Sequence, residues 1–259
     1  MKHAMLAIDV GNTHIKSAVF DGPVIRDVFI LSTNQCQQHR TFLDLMPALS
    51  LPDTVVISSV RTSITDIMIS EFSAKSGTPP LIVDIHTDMG IQNRYQNAAT
   101  LGIDRLVNAA AAYHLHRISG RPLIVIDMGT ATTIDYVDTH GAFMGGAIAP
   151  GVISAYTGLR SLAPALPEIG IERAQRAIGR NTQECMRSGI VIGHAAMIRE
   201  MARLMDADGD PIVIVTGGLS ALLEDWFPKD YIIDRDLTLK GLRIIYERNA
   251  QPANKLPER

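Results

Sequence analysis

From Met5 to Gly22 the chain reads MLAIDVGNTHIKSAVFDG. An apolar run, Met5–Ile8, stops at an acid, Asp9. Gly11, Asn12 and Thr13 follow, and a second largely apolar run closes at Asp21-Gly22. Two strands joined at a tight bend account for the pattern, because Gly and Asn tolerate left-handed backbone and Asp and Thr hydrogen-bond into turns. The same bend suits a phosphate. Main-chain N–H groups around a glycine approach an anion closely, Asn and Thr add donors, and a carboxylate holds Mg²⁺ or its waters. On this stretch alone both readings stand.

A second stretch, PLIVIDMGTATTIDYVDTHGAFMGGAIAPG from Pro122 to Gly151, repeats the layout. An apolar run ends in Asp127, then come Met128, Gly129 and Thr130, and a new strand begins at TTIDYVD. Setting AIDVGNT against VIDMGTA matches acid, apolar residue, Gly and small polar residues in order, the mark of an internal duplication. One such hairpin is weak evidence for chemistry. Two, each opening a half of the chain, favour paired phosphate loops over bare turns.

The remaining pattern agrees with an α/β chain. TVVISSV (54–60), PPLIVDI (79–85) and PIVIVTGG (211–218) read as strands. Helices are expected at 63–77, 101–120, 151–163 and 219–227, with a long one over 181–205. Asn181 and Glu184 form a capping-box pair at its start. Alternation of this kind builds sheets flanked by helices, and the polar tail NAQPANKLPER reads as frayed. The 259 residues are 46% hydrophobic and 20% charged, with a net charge of −3 and a pI near 6.2. A chain of this length buries roughly three-quarters of its unfolded surface. Without a basic run it is a poor match for nucleic acid or anionic membranes. No segment is apolar over the length of a bilayer, and no secretory leader pattern is present. Cys36 and Cys185 lack metal or disulfide spacing, which suits a reducing cytoplasm.

Taken in order, DVGNT, YQNAATLGIDRLVNA, DMGTATTID, GGAIAPG, LP, IGRNTQECMRSGIVIG, TGG and DLTLKGL resemble the motifs of the type III pantothenate kinases. That family lies within the superfamily of acetate and sugar kinases, heat-shock chaperones and actin. The resemblance spans nearly the whole chain, and GIDR and IGRNT are its most specific parts. It implies an α/β fold of two actin-like (ribonuclease H-like) subdomains, with mixed sheets flanked by helices and an active-site cleft between them. These would be residues 1–118 (first phosphate loop, GIDR) and 119–259 (second phosphate loop, adenosine site, dimer helix). It also implies ATP-dependent phosphorylation of pantothenate to 4′-phosphopantothenate, opening coenzyme A synthesis. Mg²⁺, a monovalent cation (K⁺ or NH₄⁺) and a homodimer belong to the same expectation.

Roles carry over by motif. Asp9, Val10, Gly11, Asn12, Thr13, His14, Ile15 and Lys16 match the first ATP-phosphate loop, with Asp9 facing Mg²⁺; local reading makes His14 a solvated strand residue. Asp104 matches the catalytic base. Locally, an Asp in a helix's first turn is also an ordinary partner for the dipole. Tyr95, Gly102, Ile103, Arg105 and Thr182 match substrate-binding positions, although Asn181-Thr182 before a helix is also a common cap. A guanidinium such as that of Arg105 pairs with a carboxylate in a way lysine does not. Asp127 matches the monovalent-cation ligand, with generic Mg²⁺ binding as the alternative. Thr130 reaches ATP, and Gly217-Gly218 approach the adenosine. Gly189 and Gly193, four apart, permit close helix packing at a dimer interface or in a tight core. His114 and His116 read as structural.

Three departures from the family pattern stand out: Ala98 where proline is usual, Ile103 in place of a small residue beside the base, and Arg61-Thr62 after ISSV. They bear on substrate placement. Two other readings compete, a non-catalytic accessory factor of the same fold and another small-molecule phosphotransferase of the superfamily. Intact Asp9, Asp104, Arg105 and Asp127 oppose the first, and the GIDR–IGRNT pair opposes the second.

Overall fold

The computed structural model describes residues 4–46, 52, 54–206 and 209–250. The chain begins with β1 (Ala4–Val10), β2 (His14–Asp21), β3 (Val24–Ser32), α1 (Thr33–His39), β4 (Thr54–Ser59), α2 (Thr62–Ser76) and β5 (Leu81–Ile82). A two-residue strand, β6 (Gln92–Asn93), precedes α3 (Ile103–His116). Next come β7 (Leu123–Met128), β8 (Ala131–Val137), β9 (Ala142–Pro150) and α4 (Val152–Leu162). After them lie α5 (Thr182–Arg187), α6 (Gly193–Leu204), β10 (Ile212–Thr216), α7 (Ser220–Leu223), β11 (Ile232–Ile233) and α8 (Leu237–Ala250).

These elements form two compact units. The first holds a mixed sheet in the order β3-β2-β1-β4-β5 together with α1, α2, most of α3 and α8. The second holds β11-β10-β7-β8-β9-β6 with α4 to α7. A division at 118/119 does not coincide with these units. The first one ends near His114 and takes α8 back from the end of the chain, because α8 packs on β1, β2 and β4.

The duplication read from the two acid–glycine stretches extends to the topology. In each unit the first two strands pair antiparallel, a third joins the second, and a fourth and fifth add in parallel on the other side. The register slips at Val19/Phe20 in one unit and at Tyr136/Val137 in the other. The bends differ by one residue: Asp9 lies opposite Lys16, whereas Asp127 lies opposite Thr133. Allowing for that residue, the two irregularities fall at the same place.

Alternation along a strand sends successive side chains to opposite faces. Leu6, Ile8 and Val10 enter a core with Ile57, Ile64, Met68 and Phe72, so Asp9 stands on the other face. Ile124, Ile126 and Met128 likewise enter a core with Val191, Ala195, Ile198 and Val215, which leaves Asp127 on its opposite face. Both acids therefore end a strand without being drawn into apolar packing.

Several elements differ from their sequence patterns. The helix expected to reach Gly120 stops at His116, and the strand expected over 79–85 pairs only at Leu81–Ile82. The long helix over 181–205 is α5 and α6 joined by a π turn at Ser188–Ile192. Residues 219–227 divide into α7 and a 3-10 turn, Glu224–Trp226. Asn249 and Ala250 of the polar tail complete α8, and the rest of the tail lies outside the described residues.

Candidate active site

In the first unit the bend between β1 and β2 closes with the Gly11 N–H donating to the His14 carbonyl at 2.9 Å. Asn12, Thr13 and His14 are exposed at its tip, while Val10 and Ile15 are buried beneath it. Exposed donors on a rigid base suit the phosphate reading of this bend, and a Cβ on Gly11 would lie 3.0 Å from the His14 carbonyl oxygen. Helix α1 anchors the loop from behind: the Thr33 hydroxyl donates to the Gly11 carbonyl at 3.0 Å, and its N–H to the Thr13 carbonyl at 3.1 Å. Asp9 lies between Lys16 on β2 and Ser58 on β4, its register partners on either side. The Ser58 hydroxyl donates to Asp9 Oδ1 at 2.6 Å.

Asp104 is the second residue of α3 in the same unit. Burial pushes its carboxyl above the ordinary aspartate value, while the backbone N–H and guanidinium of Arg105 pull it the other way. That N–H donates to Asp104 Oδ1 at 2.9 Å. Position 102 calls for glycine, since a Cβ there would fall 2.5 Å from the same oxygen. Ile103 is buried, so its added bulk packs inward. Arg105 is also buried, at 6% exposure, as a charged side chain is only when paired. Arg61 precedes α2 and donates to Gln37 at 2.6 Å, and Ala98 opens a 3-10 turn ahead of α3.

In the second unit the bend after β7 is tighter, with the Gly129 N–H donating to the Ala131 carbonyl at 3.0 Å. The start of α4 closes over it. The Gly151 N–H and the Ser154 hydroxyl both donate to the Thr130 carbonyl, at 3.0 and 2.6 Å. Asp127 pairs in register with Thr216, whose following residue, Gly217, has φ +93°. A Cβ on Gly217 would meet Met128 N at 2.5 Å and Asp127 Oδ1 at 2.7 Å. Glycine is therefore required here so that the turn after β10 can pack directly against the end of β7 and its carboxylate.

Tyr95 lies half-buried over Gly145 and tilts against Phe143 at 6.1 Å. Thr182 is exposed at the start of α5, directly after the cap. Asn181 caps the Glu184 N–H at 2.9 Å, and the Glu184 carboxylate reaches back to the Arg180 N–H, one residue beyond the usual box. Gly189 and Gly193 face open space within the chain. His114 bonds the Met89 carbonyl at 2.9 Å, and His116 approaches Asp234 at 3.5 Å. Sequence reading passed over Ser58, Thr33 and Thr216, all buried hydroxyls beside the two bends. A hydroxyl residue at the end of an aliphatic run was the only signal available for Ser58 and Thr216.

The duplicated sheets with an acid–glycine bend in each define an actin-like fold. Solved structures share it: a Baf family protein from Campylobacter jejuni (TM-score 0.65, 20% identity, covering 95% of this chain and 98% of that one) and the inorganic polyphosphate/ATP-glucomannokinase of Arthrobacter (0.52, 15%, 95% and 99%). At such identities the likeness concerns fold alone. Sequence comparison is sharper. The family model for type III pantothenate kinase matches residues 5–204. Type III pantothenate kinases of Moorella thermoacetica (37% identical, covering 95% of this chain and 99% of that protein) and Zymomonas mobilis (40%, 95% and 93%) match nearly end to end. The chain belongs to the type III pantothenate kinase family.

Proposed function

We infer that this chain transfers the terminal phosphoryl group of ATP to the primary hydroxyl of pantothenate, yielding 4′-phosphopantothenate for coenzyme A synthesis. Family membership over almost the full length carries this reading. The geometry adds a half-buried carboxylate, Asp104, at a helix start with its pKa raised toward that of a useful base.

Phosphoryl transfer has a loose transition state, so positioning and charge stabilisation dominate over covalent chemistry. Asp104 accepts the proton of the attacking hydroxyl, held in place by the Arg105 N–H. By its motif Arg105 takes the acceptor's carboxylate, and Tyr95 and Thr182 are, each by its own motif, acceptor contacts. The N–H groups and side chains of Gly11, Asn12 and Thr13 bind the ATP phosphates, with Lys16 and Thr130 adding contacts, and Gly217-Gly218 border the adenosine. Asp9, fixed by Ser58, would hold the nucleotide's Mg²⁺, which neutralises phosphate charge when bound. Asp127, a strand-end carboxylate on the face away from the apolar core, would hold K⁺ or NH₄⁺.

A homodimer fits the surface of the second unit, where α4 buries only Val152 while Ile153, Leu159 and Leu162 are exposed. A cytoplasmic setting is in keeping with two free thiols, Cys36 and Cys185; among the described residues no helix is long and apolar enough to cross a membrane.

The test is ATP-dependent phosphorylation of pantothenate by the purified chain in K⁺ and in Na⁺, with Asp104→Asn and Asp127→Asn alongside. Activity that needs K⁺, falls about 10²–10⁴-fold in Asp104→Asn and loses its K⁺ preference in Asp127→Asn supports the reading. Full activity in Asp104→Asn removes its role as base. Inactivity on pantothenate under every cation would favour the non-catalytic alternative.

A further inference from the structure

We propose that Ser58 is a positioning residue for the metal–nucleotide complex, acting through Asp9. The proposal rests on the reading of Asp9 as the carboxylate that faces Mg·ATP. Ser58 follows Val55, Val56 and Ile57 on β4 and is fully buried. A hydroxyl in such a place costs stability unless it is hydrogen-bonded, and an alanine or valine would pack there at no polar cost. Its proton goes to Asp9 Oδ1 at 2.6 Å, the short distance of a bond to an ionised acceptor. Asp9 and Ser58 are direct register partners on adjacent parallel strands, so the sheet itself fixes the alignment.

The second unit repeats the register placement. Thr216, at 1% exposure, is the parallel register partner of Asp127. Each sheet thus places a buried hydroxyl on the strand beside its terminal acid, at the same step of a duplicated topology. Side chains that hold a metal-facing carboxylate set its orientation, and losing one weakens metal affinity by about 10–100-fold.

Calorimetric titration of the full chain with a non-hydrolysable ATP analogue, with Mg²⁺ and then with EDTA, separates this role from simple packing. Ser58→Ala is expected to weaken the Mg²⁺ complex about 10-fold and to leave metal-free binding and the pantothenate KM unchanged. Ser58→Thr, which restores a hydroxyl at this place, is expected to recover affinity. Wild-type affinity in Ser58→Ala, equal losses with and without metal, or no recovery in Ser58→Thr overturns the proposal. Asp9→Asn tells the two levels apart. If it weakens the Mg²⁺ complex and Ser58→Ala does not, only the Ser58 role fails; if it binds like wild type, the Asp9 reading fails and the proposal with it.

Discussion

Asp104 stands where burial raises its carboxyl pKa and the N–H and guanidinium of Arg105 offset part of that rise. An acid whose folded pKa exceeds its unfolded value supports the fold only while protonated. Its contribution is full below the ordinary aspartate pKa of about 3.9 and is lost as pH rises through the raised value. Asp104→Asn, which keeps an acceptor for the Arg105 N–H, should therefore melt above wild type at neutral pH. The advantage should shrink as pH falls toward about 4; a melting difference independent of pH would contradict the burial argument. The acid limb of kcat/KM should likewise lie above the ordinary aspartate range. Gly102→Ala tests placement of the same group. The clash at 2.5 Å is with the movable end of Asp104, so the expected outcome is a loss near 10²-fold in kcat with a melting point within a few degrees of wild type. At this scale a motif is what singles out Asp9, Asp104 and Asp127 as candidates. Ser58 and Thr33 stood outside any motif, because their hydrogen bonds reach partners 49 and 22 positions away.

Helices α3 and α8 meet at Gly241, where a Cβ would fall 2.8 Å from the Val107 carbonyl and 2.9 Å from Ala111 Cβ. Thr238 bonds Asn108 across the same contact at 2.7 Å. Gly→Ala inside a helix gains up to about 1 kcal/mol of propensity, but overpacking against backbone costs about 1–3 kcal/mol. The second effect wins, and Gly241→Ala should lower the melting temperature by several degrees. Gly158, on exposed α4, has nothing within 4 Å of its would-be Cβ. There Gly158→Ala keeps only the propensity gain and should raise the melting temperature by about 2–4 °C. Equal shifts in both variants would show that propensity alone decides. Periodicity revealed α2, α3 and the extent of residues 181–205, but not the π turn at Ser188–Ile192, whose i to i+5 bonding leaves the apolar pattern almost unchanged. It also left β3 and α1 unread: β3 exposes Val24, Val28 and Ile30 on an edge, which erases strand alternation, and α1 is only seven residues long.

Two acid–glycine bends announced a duplicated molecule, yet order along the chain hid how the first unit is completed. Helix α8 arrives after every strand of the second unit and packs on β1, β2 and β4 of the first. Nothing local in LTLKGLRIIYERNA says which sheet it will cover; only its apolar stripe says that it must cover one. Leu237, Leu239, Leu242 and Ile245 are each fully buried. At roughly 1.5–3 kcal/mol per side chain they contribute at least about 6 kcal/mol, a large part of the 5–15 kcal/mol typical of a whole protein. A chain ending at Asp236 should therefore lose the first unit before the second. Amide exchange provides the measurement: protection on β1 and β4 should collapse, while β7, β8 and β10, whose core residues belong to the second unit, stay protected. If β1 kept its protection in the shortened chain, α8 would be a cover and not a structural wall of that unit, and Asp9 and Asp104 would owe their placement to the remaining elements alone.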